Sequence, residues 1–518
     1  MMQMLTLVLL SASILSMGTE AARILAMFPY NAKSHFFMFE SLLLGLAERG
    51  HQVVVLGHFP QKNPIPNYTD ISVDGTLPEI IDCVDINFSE DNDLFSLPKV
   101  LWMEQIDMCR LVLAHENVQK LLKSEDKFDL IISETFAADC FLGFVHKFKT
   151  PFINLISSVP FPWANKLVGN PDHPAYISNY FLPYTDKMSF KQRLVNTMFG
   201  LVINWMYRYY SDWPAYEIAR QHFGDQLPPL QDIARNTSLI LVNTHFSLNQ
   251  PRPMVPAFVE VGGLHIRKAK KLPQDVEKYI NESQHGVIYF SLGSMMRSET
   301  FHADKMKALL EAFRELPQRI LWRCKGEIKN LPPNVKVSGW LPQRDILEHP
   351  NVRAFITHGG LMGTQEAAHA GVPMVGIPMF GDQFLNVDNY VAKGIAIKLN
   401  YHDITKEKAL EVFRTILEDK RYQENSKKMS LLFRDRPQTS LETAIFWTEY
   451  VIRHGGAPHM RTEAVDMPWY QYLLLDVIIF ILSATILVAF FIYFITKKVV
   501  HFVCSSRNVS VSEAKKRQ

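Results

Sequence analysis

Residues 23–57, RILAMFPYNAKSHFFMFESLLLGLAERGHQVVVLG, decide the fold. Arg23 to Phe28 is a short apolar run like a buried strand, and a loop from Pro29 to Ser34 follows it. Phe36 to Arg49 carries a helical pattern that stops at Gly50. His51 to Gly57 is a second, β-branched strand. Strand, helix and strand within about 35 residues make a βαβ unit, whose crossover builds a parallel, doubly wound sheet. A second such unit spans Phe128 to Ile132 and Pro151 to Ile156, with a helix-like stretch between. The pattern resumes later in the chain. Gly286 to Ser291 reads as a strand, Phe301 to Glu315 as a helix, and Arg319–Arg323, Val335–Val337, Ala354–Thr357 and Pro373–Ile377 as further strands. The proline-rich stretch NQPRPMVPAFVEV, residues 249–261, reads as a linker. The expectation is therefore two α/β domains in tandem with a cleft between them.

A chain of 518 residues is too long for one core, and 47% hydrophobic with 20% charged residues leaves little room for extended disorder. The formal net charge of +2 gives no footprint for a nucleic-acid partner. Five scattered cysteines, with no CxxC pair, exclude a dense disulfide scaffold and a cysteine-rich zinc site.

Both ends carry address-like segments. Residues 1–21 are apolar through Met17, with Thr19 and Ala21 at the spacing of a signal-peptidase site, although no basic residue precedes them. Residues 477–496, VIIFILSATILVAFFIYFIT, hold no charge and match the length of a bilayer crossing. Trp469, Tyr470 and Tyr472 precede this span and Lys497 and Lys498 follow it, which places residues 497–518 in the cytosol and the long N-terminal part in the lumen. Lys515 and Lys516 resemble a dilysine retrieval signal, giving a single-pass type I protein of the endoplasmic reticulum membrane. Lumenal exposure would make Asn67, Asn87, Asn236 and Asn281 usable N-glycosylation sequons, whereas Asn508 would stay bare. The aromatic- and methionine-rich stretch 187–219 has two readings beside a plain helical insertion: it touches the membrane or it lines a pocket.

The densest local signal is WLPQRDILEHPNVRAFITHGGLMGTQEAAHAGVPMVGIPMFGDQFLNVDNYVAKGIAIKL, residues 340–399. Thr357-His358-Gly359-Gly360 ends an apolar strand and opens a helical stretch. Glycines let backbone approach a ligand, and a helix N-terminus offers unpaired N–H groups to an anion such as a diphosphate. Glu366 lies about two helical turns after His358, where a carboxylate can accept two ribose hydroxyls. Trp340 offers a flat face for a base, and Gln343 an amide for its polar edge. This block resembles the signature of the UDP-glycosyltransferases, and the resemblance extends over nearly the whole chain. It implies two Rossmann-like domains of the GT-B type plus one C-terminal transmembrane helix. It assigns donor binding to Ser294, Trp340, Gln343, His358, Gly360 and Glu366, and a grip on the transferred sugar to Asp382 and Gln383. Met362 stands where similar sequences often have asparagine, which removes one polar contact to the phosphates.

A hydroxyl that attacks a sugar must lose its proton, and histidine titrates close to neutrality. His35, after the first strand, is the candidate base. A carboxylate on its other nitrogen would fix the tautomer; the resemblance assigns this to Asp139, with Glu134 as the rival. Spacing alone leaves His35 equally readable as a solvated loop residue and Asp139 as a helix cap. The domains expected are residues 22–248 for the acceptor, 249–456 for the UDP-sugar with a helix returning to the first domain, and 457–476 as a juxtamembrane segment. The implied activity is inverting transfer of glucose or glucuronate to small lipophilic acceptors in detoxification. No cofactor is expected, since the UDP-sugar is a co-substrate, and no Asp-x-Asp motif calls for a metal. Homo-oligomerisation stays open. The competing class is a lumenal small-molecule-binding protein of the same fold without turnover; a glycosidase would need two carboxylates flanking the bond.

Overall fold

The computed structural model describes residues 21–86, 88, 93–136 and 139–516. The expected signal peptide, apart from Ala21, and the Asn87 sequon lie outside them. Two compact units are present, one ending at Thr462 and the other beginning at Glu463.

The first unit holds two parallel sheets. Sheet one contains β1 (Arg23–Phe28), β2 (Gln52–Gly57), β3 (Tyr68–Ser72), β4 (Leu130–Glu134), β5 (Phe152–Ile156), β6 (Leu239–Val242) and β7 (Phe258–Glu260), in the order β3-β2-β1-β4-β5-β6-β7. The near-continuous apolar runs of these strands suit burial on both faces. Helix α1 (Lys33–Glu48) crosses from β1 to β2, and α2 (Ser96–Ala114) and α3 (Phe190–Tyr207) belong to the longer connections. Sheet two contains β8 (Val287–Ser291), β9 (Arg319–Arg323), β10 (Val335–Ser338), β11 (Val352–Thr357), β12 (Met374–Gly376) and β13 (Ala396–Lys398), in the order β10-β9-β8-β11-β12-β13. Helices α4 (Ala303–Arg314), α5 (Leu361–Ala370) and α6 (Gln383–Ala392) connect its strands. Separate apolar clusters cover its two faces, one around Phe290, Phe313 and Trp322 and the other around Tyr289 and Phe355. Each sheet reverses its strand order once, between β1 and β4 and between β8 and β11, and ligands of doubly wound sheets sit at such reversals.

The expected boundary at 248/249 needs correction. Part of the supposed linker is β7, which pairs with β6 through Ile240 and Phe258 in the first sheet. Three prolines hid this strand, but they stop at Pro256, ahead of the paired residues. The chain also crosses earlier. Val84 bridges to Met296, and Ile86 is buried in the core of the second domain. Near the C-terminal end α7 (Ser440–Arg453) lies on α1, where a Cβ at Gly45 would stand 2.9 Å from Ile445. A capping box, Thr439 with Glu442, starts this helix.

In the second unit, α8 (Leu475–Lys516) carries an apolar stretch from Leu475 to Ser505, long enough to cross a bilayer, whose most apolar 18 residues have a mean hydropathy of 2.8.

Candidate active site

His35 lies in the first turn of α1, since the helix begins at Lys33 and takes in the last two residues of the expected loop. Its Nδ1 stands 2.6 Å from Oε1 of Glu134, the last residue of β4. The pairing of Met27 with Ser133 sets β1 and β4 side by side, so the two groups meet at the reversal of sheet one. Ser157, just after β5, approaches both, with its hydroxyl 3.0 Å from Nδ1 and 3.2 Å from the same carboxylate oxygen. The Glu134 side chain is 1% exposed and that of His35 is 21% exposed. A proton on Nδ1 donates to Glu134 and leaves Nε2 as the nitrogen that can take one from a ligand. Tyr30 and Phe136 hold the ring on its sides, at centroid distances of 5.1 and 4.8 Å.

The carboxylate partner expected for His35 was Asp139, and here the structure differs. Asp139 accepts a hydrogen bond from the Tyr207 hydroxyl, and burial pushes its carboxyl up to about 6. The reason is positional. Glu134 ends a strand that lies beside β1, whereas Asp139 sits in a 3₁₀ turn that the Cys109–Cys140 disulfide holds against α2.

The second domain presents its residues at the matching reversal. Ser291 of β8 pairs with Thr357 of β11, so the loops that leave these strands run together. The His358 ring fills the space between them: a Cβ at Gly293 would lie 2.6 Å from it, and one at Gly360 2.5 Å. Gly360 is the residue before α5 and caps it with no side chain, so the first N–H groups of that helix face the same space. Burial lowers His358 to about 4, so near pH 7 it is a neutral donor, and its buried Nδ1 has no partner among the described residues. Ser294 is half-buried in the β8 loop. On the other side of α5, the Gln343 amide donates to Glu366 at 2.7 Å, and burial pushes that carboxyl up to about 7. The Trp340 ring is 63% exposed, an open platform. His265 donates to the Met362 carbonyl at 3.1 Å, so the position lacking asparagine still takes part through its backbone.

Asp382 stands between the two sets. Its carboxyl is pushed up to about 6 by burial, opposed by a hydrogen bond from Asn386 and by the nearby His35. Gln383 faces inward: its side-chain oxygen accepts from the backbone N–H groups of Met379 and Phe380, so only its amide nitrogen is left for a ligand. Tyr180, from the first domain, reaches Asp382 and would lie 3.7 Å from a Cβ at Gly381. Beside His35, Trp102, Gln105, Phe136, Phe161, Trp163 and Tyr180 line a narrow cavity of about 10 Å³. A wider groove of about 580 Å³, bordered by His146, Lys149 and Arg461, opens beside Pro151 and Ser238, at the amino ends of β5 and β6, and touches none of these residues. Three contributors have no local motif: Ser157, Tyr180 and Gln105. Ser157 alone carried a hint, as the residue that follows an apolar strand.

Two facing doubly wound domains, each with polar groups gathered at its strand reversal, define a glycosyltransferase of the GT-B form. A solved structure, the glycotransferase of kitacinnamycin, shares this fold with a TM-score of 0.54 at 18% identity, covering 82% of this chain and 98% of its own. The model described as UDP-glucoronosyl and UDP-glucosyl transferase matches residues 88–511. UDP-glycosyltransferase UGT5 of Dactylopius coccus is 45% identical, over 93% of each chain. UDP-glucosyltransferase 2 of the same insect is 41% identical, over 98% of each. The chain belongs to the UDP-glycosyltransferase family. Of the sequons expected to carry glycans, the described Asn67, Asn236 and Asn281 are all exposed.

Proposed function

We propose that this chain moves glucose, in preference to glucuronate, from its UDP conjugate to a hydroxyl of a small lipophilic acceptor, as a detoxifying or endobiotic conjugation. His35 Nε2 takes the hydroxyl proton, and Glu134 holds the tautomer and offsets the imidazolium charge. The freed oxygen attacks the anomeric carbon while the bond from that carbon to UDP breaks, so the sugar inverts and UDP leaves with the electron pair. The N-terminus of α5, His358, Gly360 and Ser294 receive the diphosphate, Trp340 and Gln343 the uracil, Glu366 the ribose, and Asp382 with the Gln383 amide the sugar. No metal is needed in this scheme, because backbone N–H groups and the helix dipole meet the leaving charge. The observation that carries the reading is the His35–Glu134 pair at 2.6 Å, with Asp382 of the other domain close enough to feel the imidazole. A glucosyltransferase among the relatives supports the sugar, as does the acidic Asp382 at the grip, which would repel the carboxylate of glucuronate. The apolar C-terminal helix supports a membrane anchor, and the Lys515–Lys516 ending with the lysines after the span supports the endoplasmic reticulum with a lumenal catalytic unit.

A transfer assay on membranes from expressing cells tests this, with 4-nitrophenol as acceptor, UDP-glucose or UDP-glucuronate as donor, and EDTA present or absent. Glucoside formation that EDTA leaves unchanged is the expected result. UDP binding without product, over a panel of acceptors, would favour the binding-protein reading.

A further inference from the structure

Residues 78–86, PEIIDCVDI, follow β3 and pass from one domain to the other. Leu77 and Ile80 pack on the core of the first domain, and Val84 and the buried Ile86 on that of the second. A crossing between domains is ordinarily a loosely held surface connection. This strap is held along its length, and each end of it grips a loop of the candidate active site. Near its start, the Ile80 N–H donates to the Asn31 carbonyl at 3.0 Å, and the Asn31 amide donates to the Pro78 carbonyl at 2.5 Å. Asn31 is buried in the loop between β1 and α1, four residues before His35.

The far end lies against the loop that leaves β8 and carries Ser294. The N–H of Asp82 donates to the Ser294 carbonyl at 2.9 Å, and those of Cys83 and Val84 both donate to the Met295 carbonyl at 3.0 Å. The Val84 carbonyl accepts from the Arg297 N–H at 2.9 Å, and the Arg297 side chain pairs with Asp85 at 3.0 Å. The Asp82 carboxylate adds a second hold through Arg323, which takes it with both terminal nitrogens and donates onward to the Gly293 carbonyl. Three consecutive carbonyls, those of Gly293, Ser294 and Met295, are thus engaged by the strap or by its arginine. Asp82 meets these partners with a backbone φ of +47°, a left-handed conformation uncommon outside glycine. Strain of this kind persists where the surroundings fix a residue from several sides.

We infer that residues 78–86 are a strut that sets the Ser294 loop against the His35 loop, with Asp82 and Asn31 as positioning residues for the transfer. This rests on the reading of the Ser294 loop as a diphosphate receiver and of His35 as the base. Asp82 acts on the donor through the loop it holds, and Asn31 acts on the base through the turn that precedes it. The coupling runs both ways. UDP settling on the Ser294 loop firms the strap, and the strap then narrows the positions open to His35. A site loaded with donor therefore has its base in place before the acceptor hydroxyl attacks.

Cys83 reports on the strap, because its thiol is free and exposed, and the other exposed free thiol, Cys504, is removed as Cys504→Ser. The full chain in detergent is treated with a maleimide, and labelling of Cys83 is followed by peptide mass spectrometry with and without saturating UDP. UDP is used alone so that no sugar beside His35 covers the thiol. The expected result is that UDP slows labelling at least about fivefold, as strap openings become rarer. Asp82→Asn keeps a residue that tolerates positive φ and removes the charge facing Arg323. With UDP still saturating, its protection should shrink below about twofold, and glucoside formation at saturating donor should fall about tenfold. Asn31→Ala leaves every contact of the Ser294 loop in place, so UDP affinity should hold while kcat falls about tenfold. That second variant keeps the test open if Asp82→Asn fails to fold, and a merely structural role would not split kcat from UDP affinity. UDP binding without protection of Cys83 in the unaltered chain overturns the inference alone, as do full protection and full rate in Asp82→Asn. An unaltered chain that binds no UDP overturns the donor reading, and this inference with it.

Discussion

Exchanging the two candidate carboxylates separates the pair at His35 from its neighbour. In Glu134→Gln the charge facing the imidazole is lost and an amide N–H₂ can be presented to Nδ1, which favours the wrong tautomer. The size of the effect follows from the geometry. An imidazolium and a carboxylate hydrogen-bonded at 2.6 Å have charge centres about 4 Å apart, and at an effective dielectric of 20 their attraction is about 4 kcal/mol. That stabilisation exists only once His35 has taken the proton, so it belongs to the transition state. It corresponds to roughly a thousandfold in kcat, with the donor KM little changed. Glu134→Ala should lose less, because the Ser157 hydroxyl 3.0 Å from Nδ1 can still accept its proton. Asp139→Asn should stay within a few-fold of the unaltered enzyme, since asparagine also accepts from Tyr207. The assay is glucoside formation from 4-nitrophenol at saturating UDP-glucose, with UDP affinity measured alongside. An Asp139→Asn loss as large as that of Glu134→Gln, at full UDP affinity, would refute the assignment. So would a Glu134→Gln enzyme that keeps more than about a tenth of its rate.

Other perturbations address the donor side. Glu366 is pushed up to about 7 in the free protein, and ribose hydroxyls donating to it would lower that value, so UDP-glucose affinity should rise as pH increases through 7. Titration calorimetry should show this, and Glu366→Gln should flatten the dependence. Gly293→Ala places a Cβ 2.6 Å from the His358 ring at a backbone φ of +81°, so UDP binding should fall at least about tenfold with little change in the melting temperature. Arg323 and Asp82 form a bidentate pair at 2.5 and 2.9 Å, with side chains 7% and 9% exposed, and Arg323 also donates to the Gly293 carbonyl. Removing one partner leaves a buried charge that costs about 3–5 kcal/mol, so Asp82→Ala should lower the melting temperature by about 5–10 °C in differential scanning fluorimetry.

Sequence patterns carried far wherever the signal was local. The alternation of β1, α1 and β2, the glycine pair before α5 and the charge-free span near residue 480 each depend on neighbours in the chain. The misplacements involve distant partners. Glu134 and Asp139 are five positions apart, and only the register of β4 against β1 decides which of them meets His35. The strand β7 is three residues long behind a run of prolines, so its pattern is drowned by its surroundings, and its pairing with β6 alone reveals it. Asp82 is an unremarkable acid in a loop until its partner Arg323, 241 positions away, is seen. Gln383 was legible as a polar residue at the sugar grip, but not as the acceptor that holds the turn before it.

The return of α7 to α1 makes the second domain an insertion in the first. Apart from the brief crossing at Val84 and Ile86, the chain stays in the first domain until β7, then builds all of sheet two, and only afterwards supplies Ala444, Ile445 and Val451 to the core of the domain it started. During synthesis the half begun first is therefore the half finished last, and the second half can close around its own core while the first still waits for a helix. Hybrids assembled from two relatives inherit the same constraint. A single junction near residue 262 would pair the first domain of one parent with the closing helix of the other, so an exchange that respects both cores needs a second junction ahead of Thr439 and must also carry Asp82 to Ile86 with sheet two.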